Sequence, residues 1–289
     1  MKLHLLTAAA VLTLTTAALA DGNFDRTIAT SAQPDVYVST GSGSIRVTPS
    51  SSNQVHIVGH VHAGWSAFGN VDGRITKITE NPPITQSGNE IHIGESRERS
   101  FFNNITIDYE ISVPVNAALN LRSGSGDVES NNVGRFLTAS SGSGNVRAHG
   151  LHGPATLDSG SGDIELEQQA TGDVHAKTGS GNIRIHGLDG AFYARTGSGD
   201  IEADGHIQGP ANVSSGSGNV RLHLNPDSRF NVEAATGSGD IRVRFPGAPK
   251  QEEDSRHHLS ASINGGGSIL VEIKGDDGSV ETFRLQALS

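Results

Sequence analysis

Four histidines in the first third of the chain have a side chain that commonly binds metal ions. His56, His60 and His62 share one parity, so in a β-strand their side chains would lie on one face. His92, in the stretch EIHIG, is expected on a neighbouring strand beside His56. Grouped imidazoles bind zinc or copper, although this spacing matches no known ligand pattern. A metal-binding periplasmic protein is therefore one possible function, and ordinary polar positions on an outer strand face are the simpler explanation.

A second set of polar residues alternates in charge at a regular interval, and we call it the ladder face. One row alternates Asp with Asn, and a row two positions further on alternates Glu with Arg. The two rows are Asp127, Asn145, Asp163, Asn182, Asp200 and Asn219, and Glu129, Arg147, Glu165, Arg184, Glu202 and Arg221. Paired carboxylates can act as acid and base in glycoside hydrolysis, so a carbohydrate-active β-helix enzyme is an alternative. Catalytic carboxylates form a cluster that breaks the local pattern, whereas these follow it, and we expect no enzyme activity.

The elements that position these residues come from a repeated phrase, [ST]-G-S-G-[DN]-[IV]. From Ser123 it restarts after 18, 18, 19, 18, 19 and 21 residues, with an early copy at 40–45 and a degenerate one at 264–269. A fixed period of this length is typical of a solenoid. Apolar residues alternate before and after the phrase, which predicts two strands joined by a glycine corner. The glycines of this corner can adopt positive φ and so turn the chain sharply, which is the predicted reason for glycine there.

The charge alternation indicates how the periods stack. In parallel strands, equivalent positions of successive rungs face each other, and like charges there are destabilising. With one rung per period, acidic positions alternate with basic or neutral ones, and each opposite pair contributes about 0.2–1 kcal/mol. The predicted fold class is therefore all-β, a right-handed parallel β-helix of about 18–19 residues per rung.

The sequence divides the chain of 289 residues into four segments. A charged start, an apolar run and the Ala18-Leu19-Ala20 site are typical of a signal peptide. The predicted segments are the signal peptide at 1–20, irregular solenoid rungs with a cap at 21–121, regular repeats at 122–246, and a charged loop, last rung and C-terminal cap at 247–289. We expect an exported protein, periplasmic or extracellular, with no membrane span after cleavage.

The irregular N-terminal segment contains a group of large aromatic residues that includes the only tryptophan of the chain. They are Trp65, Phe68, Phe101 and Phe102. We expect them to cap the first rung, because the end of a solenoid must be covered. An exposed aromatic contact site is the alternative.

The amino-acid composition argues against several classes of partner and of chemistry. The chain has a formal net charge of −10, which argues against nucleic acid, and it has no cysteine for disulfide or thiolate chemistry. Glycine–aspartate repeats also build calcium-binding β-rolls, but here every second Asp is Asn. We therefore expect a monomer without a cofactor, whose partner is an envelope polymer or protein.

The stretch IDYEISVPVNAALNLRSGSGDV, followed by rungs of the form [ST]-G-S-G-[DN]-[IV]-[ER], resembles a known bacterial family. It is the β-strand-repeat family of putative adhesins, a domain of unknown function related to the head domains of autotransporter adhesins. The resemblance covers about residues 30 to 285. It implies a right-handed β-helix in an exported or envelope protein, and it brings no catalytic residues. We expect a non-catalytic, adhesin-like interaction scaffold of the cell envelope.

Overall fold

A computed structural model describes residues 21–64, 71–94, 102–235, 240–244, 258–265, 270–275 and 282–287. The predicted signal peptide, Trp65, Phe68 and Phe101 lie outside these ranges. The described chain is almost entirely β-strand, with one α-helix, α1 (Val71–Glu80). Among the described residues, no helix has both the length and the apolar character needed to cross a membrane.

The strands fall into an N-terminal group, a regular series and a C-terminal group. The N-terminal strands are β1 (Asp21–Ala29), β2 (Asp35–Thr40), β3 (Ile45–Ser50), β4 (Gln54–Ala63), β5 (Ile84–Ser87), β6 (Glu90–Ile93) and β7 (Ile105–Pro114). The regular series is β8 (Ala118–Ser123), β9 (Val128–Asn131), β10 (Phe136–Ser141), β11 (Val146–Leu151), β12 (Ala155–Ser159), β13 (Ile164–Gln168), β14 (Val174–Thr178), β15 (Ile183–Thr196), β16 (Ile201–Ser215) and β17 (Val220–Leu224). The C-terminal strands are β18 (Phe230–Ala235), β19 (Asp240–Arg244), β20 (His258–Ile263), β21 (Leu270–Gly275) and β22 (Thr282–Ala287).

Each rung has one strand before its glycine corner and one after it. The strands before the corners pair in parallel and form what we call the leading wall, and those after the corners form the trailing wall. Partners are 18 or 19 residues apart, as in Leu137↔Ala155 and Ala155↔Val174. About six turns stack in chain order in this way. The predicted parallel solenoid and its rung length are confirmed, and its right-handedness stays a prediction.

The core lies between the two walls and is built by period-two alternation. Inward residues such as Leu137, Leu157, Ile164 and Leu166 are almost completely buried. Fully burying a side chain of this size contributes about 1.5–3 kcal/mol, and every rung repeats the contribution. The outward residues between them are consequently free to carry the ladder.

At the N-terminal end, spatial order differs from chain order. The β2–β3 rung lies between the β6–β7 rung and the β8–β9 rung. Val36, for example, pairs with Ile91 on one side and Leu119 on the other. The earliest rung of the sequence is thus held by neighbours on both sides.

The C-terminal end has the same arrangement. β21 pairs with β16 and β18, and β22 pairs with β17 and β19. The expectation that the last rung in sequence is the last in the stack is therefore wrong. The β18–β19 rung lies beyond it, and β20 runs antiparallel along β18. The long connection between β19 and β21 allows the chain to return and fill a place that β18 and β19 leave open.

The N-terminal cap is made by β1, β4 and α1. β4 pairs antiparallel with β1 and β7, and α1 buries Val71, Ile75 and Ile78. The helix lies within the segment predicted to form irregular rungs and a cap, and its buried apolar residues have helical spacing.

One aromatic contact joins β1 of this cap to β7. Phe24 of β1 is buried and meets Tyr109 of β7 edge-on, with ring centroids 6.3 Å apart. Gly59 lies between them, and a Cβ there would be 2.1 Å from the ring of Phe24. Of the predicted cap aromatics, Phe102 is described, and it packs partly buried against the core.

Candidate functional site

The register of the trailing wall brings the Glu and Arg of the ladder face into one continuous row. Consecutive pairs join Glu129, Arg147, Glu165, Arg184, Glu202 and Arg221 in that order. The intercalated β3 extends the row, because Arg46 pairs with Glu110 on one side and Glu129 on the other. Sequence reasoning missed Arg46 and Glu110, since their places follow only from the spatial order of the rungs.

The Asp/Asn row is a ladder of hydrogen bonds. The backbone N–H of Asn145 donates to Asp127 Oδ1 at 2.8 Å, and that of Asp163 donates to Asn145 Oδ1 at 2.8 Å. The pattern continues through Asn182, Asp200 and Asn219. Each side chain thus accepts a hydrogen bond from the backbone N–H of the equivalent residue in the next rung.

The Asn members also donate. The Asn145 amide lies 3.4 Å from Asp127 Oδ1, and the corresponding distance from Asn219 to Asp200 Oδ1 is 3.1 Å. A carboxylate at the Asn position would have no proton to give and would face a second carboxylate. The alternation therefore has a second physical cause besides charge balance.

Arginines of the regular rungs pair diagonally rather than along their own row. Arg147 donates to Asp127 Oδ2 at 3.1 Å, and Arg221 donates to Asp200 Oδ2 at 3.3 Å. Arg46 differs from them, because its Nε donates along the row to Glu129 Oε2 at 3.1 Å. Exposed ion pairs contribute little singly, so their main effect is on register.

These contacts shift the acidities of three ladder carboxyls. Burial alone would raise the pKa of Asp127, but the N–H of Asn145 and the guanidinium of Arg147 lower it overall. The pKa of Asp200 is lowered in the same way by Asn219 and Arg221. Glu129 has a lowered pKa chiefly because the Asn131 amide donates to it, with a further contribution from Arg46. The ladder therefore favours ionised carboxylates.

The Ser or Thr that opens each repeat has a structural role that sequence reasoning missed. Ser159 is buried, donates from Oγ to the carbonyl of Gly144 at 2.9 Å, and accepts from the N–H of Gly162 at 2.8 Å. Thr178 makes the equivalent bonds to Gly162 and Gly181. A hydroxyl at this position thus closes its own corner and ties it to the previous rung.

The corner glycines are required by close stacking. A Cβ on Gly142 would lie 2.3 Å from the carbonyl oxygen of Gly124 in the rung below, and one on Gly144 would lie 2.3 Å from that of Gly126. None of these four has positive φ, so the predicted reason for glycine was wrong at the described corners. Positive φ occurs instead at the second turn, for example at Gly187.

The histidines do not form one group. His56, His60 and His62 do share the outer face of β4, and each lies beside a residue of β1. His56 Nε2 is 2.8 Å from Asp25 Oδ1, and His62 Nδ1 is 2.9 Å from Asp21 Oδ1.

His92 belongs elsewhere. Its strand, β6, pairs with β2 and β5, so the expectation that it lies beside His56 is wrong. Its ring stacks on Tyr37 with centroids 4.6 Å apart. Within the described part of the chain, no three His, Cys, Asp or Glu residues are grouped to hold a metal.

The leading wall offers a different outer surface. Its positions opposite the ladder include Thr138, Thr156, His175 and Tyr193, and the last two rings stack at 5.7 Å. A neighbouring row of this wall carries charge, because Asp158, Lys177 and Arg195 occupy successive rungs.

Stacked rungs, corner hydroxyls and an outer ladder define the class of protein, a parallel β-solenoid. The chain belongs to the Toastrack family, DUF4097, whose model matches residues 71–282. The family resemblance predicted from the sequence is confirmed. A search among curated proteins gives no significant match.

Two solved structures are similar. A putative adhesin from Bacteroides fragilis is 15% identical over 92% of this chain and 97% of its own, with a TM-score of 0.50, which shows the shared fold. A putative cell adhesion protein from Clostridium sporogenes is 11% identical over 93% of this chain and 100% of its own, with a TM-score of 0.24.

Proposed function

We propose that the protein is an exported, non-catalytic scaffold of the cell envelope and that its trailing wall binds an extended polymer or protein. One observation carries the proposal, namely the unbroken alternation of charge along the wall. It runs through Glu110, Arg46, Glu129, Arg147, Glu165, Arg184, Glu202 and Arg221. Solenoid proteins bind partners through such extended repeating faces.

The spacing of the row favours a partner that is itself periodic. Rungs are about 4.8 Å apart, so a charge of one sign recurs about every 9.6 Å. That interval is comparable to one disaccharide of an extended glycan. Because hydrogen bonds hold the side chains of Arg46, Glu129, Arg147 and Arg221, these residues lose little side-chain freedom when a polymer binds.

The carboxylates of the ladder support a structural rather than a catalytic role. Asp127, Asp163 and Asp200 each accept a backbone N–H from the next rung. A catalytic acid needs a raised pKa, whereas the pKa of Asp127 and that of Asp200 are lowered. A carbohydrate-active enzyme remains the alternative function, and the same experiment tests it.

Two observations support the proposed export and envelope location. Residues 1–20 have the composition of a signal peptide. The similar solved structure from Bacteroides fragilis is named a putative adhesin, and we extend that role to this chain as a proposal.

The test is a binding panel with the purified exported form. Immobilised peptidoglycan, lipopolysaccharide, capsular glycans and envelope protein extracts are titrated, and new reducing or unsaturated sugar ends are assayed in the same wells. Saturable binding without new ends is the expected result. Cleavage of any glycan would reject the non-catalytic scaffold and favour the carbohydrate-active enzyme. Absence of binding to every surface would reject the proposed partner class.

A further inference from the structure

The leading wall carries an aromatic ring that is covered on one face. Tyr37 of β2 is half-buried, and its ring stacks on that of His92 with 4.6 Å between the centroids and 7° between the planes. Because neighbouring strands are about 4.8 Å apart, this centroid distance means that the rings stack along the axis of the solenoid. β2 lies between β6, which carries His92, and β8. The second face of Tyr37 is therefore turned towards β8.

A small cavity lies beside that second face. It has a volume of about 180 Å³ and is lined by Tyr37, Val38 and Ser39 of β2 and by Asn120 and Arg122 of β8. In the strand register, Asn120 lies opposite Tyr37, and Arg122 lies opposite Ser39. Pockets for drug-sized ligands measure about 300–1,000 Å³, so this cavity suits a single ring. An aromatic face, a hydroxyl, an amide and a guanidinium group thus surround a space of that size.

Arg122 gives the cavity a positive charge. Its Nε donates to Asn120 Oδ1 at 3.1 Å, which orients the guanidinium plane and leaves the two terminal nitrogens as donors. No carboxylate among the described residues forms an ion pair with Arg122. Its register partners are Ser39 and Ser140, and Asp158 lies a further rung away, at about 9.6 Å along the axis. This charge therefore favours a ligand that is itself an anion.

We propose that this cavity binds a single sugar ring that carries a carboxylate, as a uronic acid does. The C–H face of the sugar packs on the second face of Tyr37, and the carboxylate accepts hydrogen bonds from the terminal nitrogens of Arg122. Ser39 and the N–H groups of the Asn120 amide serve the sugar hydroxyls. One arginine balances the single charge of a carboxylate, whereas a phosphate monoester carries about 1.5 to 2 negative charges at neutral pH.

This site goes beyond the proposed function. It lies on the leading wall and holds one ring, whereas the proposed polymer surface is the trailing wall. Either proposal can therefore fail without the other.

The first test compares three ligands that share one ring, in ligand-observed NMR titrations of the full exported chain. Methyl β-D-glucuronide carries the carboxylate, methyl β-D-glucoside has an uncharged hydroxymethyl group in its place, and the 6-phosphate of that glucoside carries a phosphate. We expect the glucuronide to bind saturably and most tightly of the three. Its affinity should exceed that of the glucoside by about tenfold or more, because hydrogen bonds between charged groups are the stronger ones.

Two variants separate the contribution of the charge from that of the aromatic ring. Arg122→Gln should lower the affinity for the glucuronide to that for the glucoside, because it removes the charge that distinguishes them. Tyr37→Leu should weaken the binding of both sugars by a similar factor, since the packed face is the same in both. The matched control is Arg195→Gln, which removes an exposed arginine four rungs away in the same row and should leave both affinities unchanged.

Several outcomes would overturn the site. Equal affinities of the wild type for glucuronide and glucoside, or no saturable binding of the glucuronide, would do so directly. Equal losses in Arg122→Gln and Arg195→Gln would overturn it in favour of general charge attraction, and tighter binding of the 6-phosphate would overturn it in favour of a phosphate site. Because Arg122 is exposed, Arg122→Gln is expected to fold, and it carries the test by itself if Tyr37→Leu does not.

Discussion

The backbone N–H of Asn182 donates to Asp163 Oδ1 at 2.7 Å, and the side-chain amide of Asn182 reaches the same oxygen at 3.3 Å. Asp163 thereby satisfies two donors of the next rung with one carboxylate oxygen. Its other oxygen lies 3.9 Å from the guanidinium of Arg184. The alternation of Asp and Asn thus joins each rung to the next through both hydrogen bonds and charge.

Replacing Asn182 with Asp should weaken this junction. The variant loses the amide donor and places a carboxylate between Asp163 and Asp200. We therefore expect the free energy of unfolding, measured in urea at neutral pH, to fall by about 1–3 kcal/mol. The deficit should shrink as the carboxylates are protonated. The control is Asp163→Asn, which leaves an amide that still accepts the N–H. Equal losses in both variants would contradict the ladder.

Replacing a corner glycine should be costly wherever the next rung is close. Gly142→Ala puts a Cβ 2.3 Å from the Gly124 carbonyl, and we expect a loss of about 2–4 kcal/mol in the free energy of unfolding. Gly41→Ala is the matched control, because a Cβ there has nothing within 4 Å. Chemical denaturation of both variants measures the two free energies of unfolding. An unchanged free energy in Gly142→Ala would contradict the close stacking of the rungs.

Removing a corner hydroxyl should leave two buried backbone groups without partners. Thr178→Val keeps the shape but deletes the bonds to the Gly162 carbonyl and the Gly181 N–H, so we expect a loss of about 1–3 kcal/mol. Thr156→Val makes the same change on the outer face of the leading wall and should be nearly neutral. Similar denaturation midpoints for the two variants would contradict the assigned role.

Stability should fall in acid because of the ladder carboxyls. The pKa values of Asp127, Glu129 and Asp200 are lower in the folded chain than their ordinary values of 3.8 for Asp and 4.5 for Glu. Their contribution is therefore present above the unfolded values and is lost as the pH falls through the folded ones. Urea unfolding at a series of pH values should show this decline, with a shallower slope in Asp127→Asn/Asp200→Asn. An unchanged slope would place the acid sensitivity elsewhere.

The rung itself was predictable because its determinants are local and repeated. The phrase spacing set the period, and the alternation of Asp163 with Asn145 and Asn182 indicated one rung per period. The order of the terminal rungs was not predictable, because it depends on where a long connection returns. For the same reason, Arg46 was not placed in the row.

The candidate histidine site failed for a related reason. Parity correctly placed His56, His60 and His62 on one face of β4. It carried no information about which strand lies beside that face, and His92 belongs to another wall. Likewise, the buried hydroxyl of Ser159 was visible as a repeated letter, but its bonds cross between rungs and need the stacked structure.

The most direct test of the scaffold compares two charge-removed variants in the binding panel. Glu165→Gln/Arg184→Gln/Glu202→Gln clears the centre of the trailing wall and leaves the Asp/Asn ladder intact. Asp158→Asn/Lys177→Gln/Arg195→Gln clears the same number of charges from the leading wall. Circular dichroism first verifies that both variants are folded. We predict that the first variant loses binding to the envelope polymer that the wild type binds, whereas the second retains it. Retained binding in the first variant, or equal loss in both, would contradict the trailing wall as the binding surface.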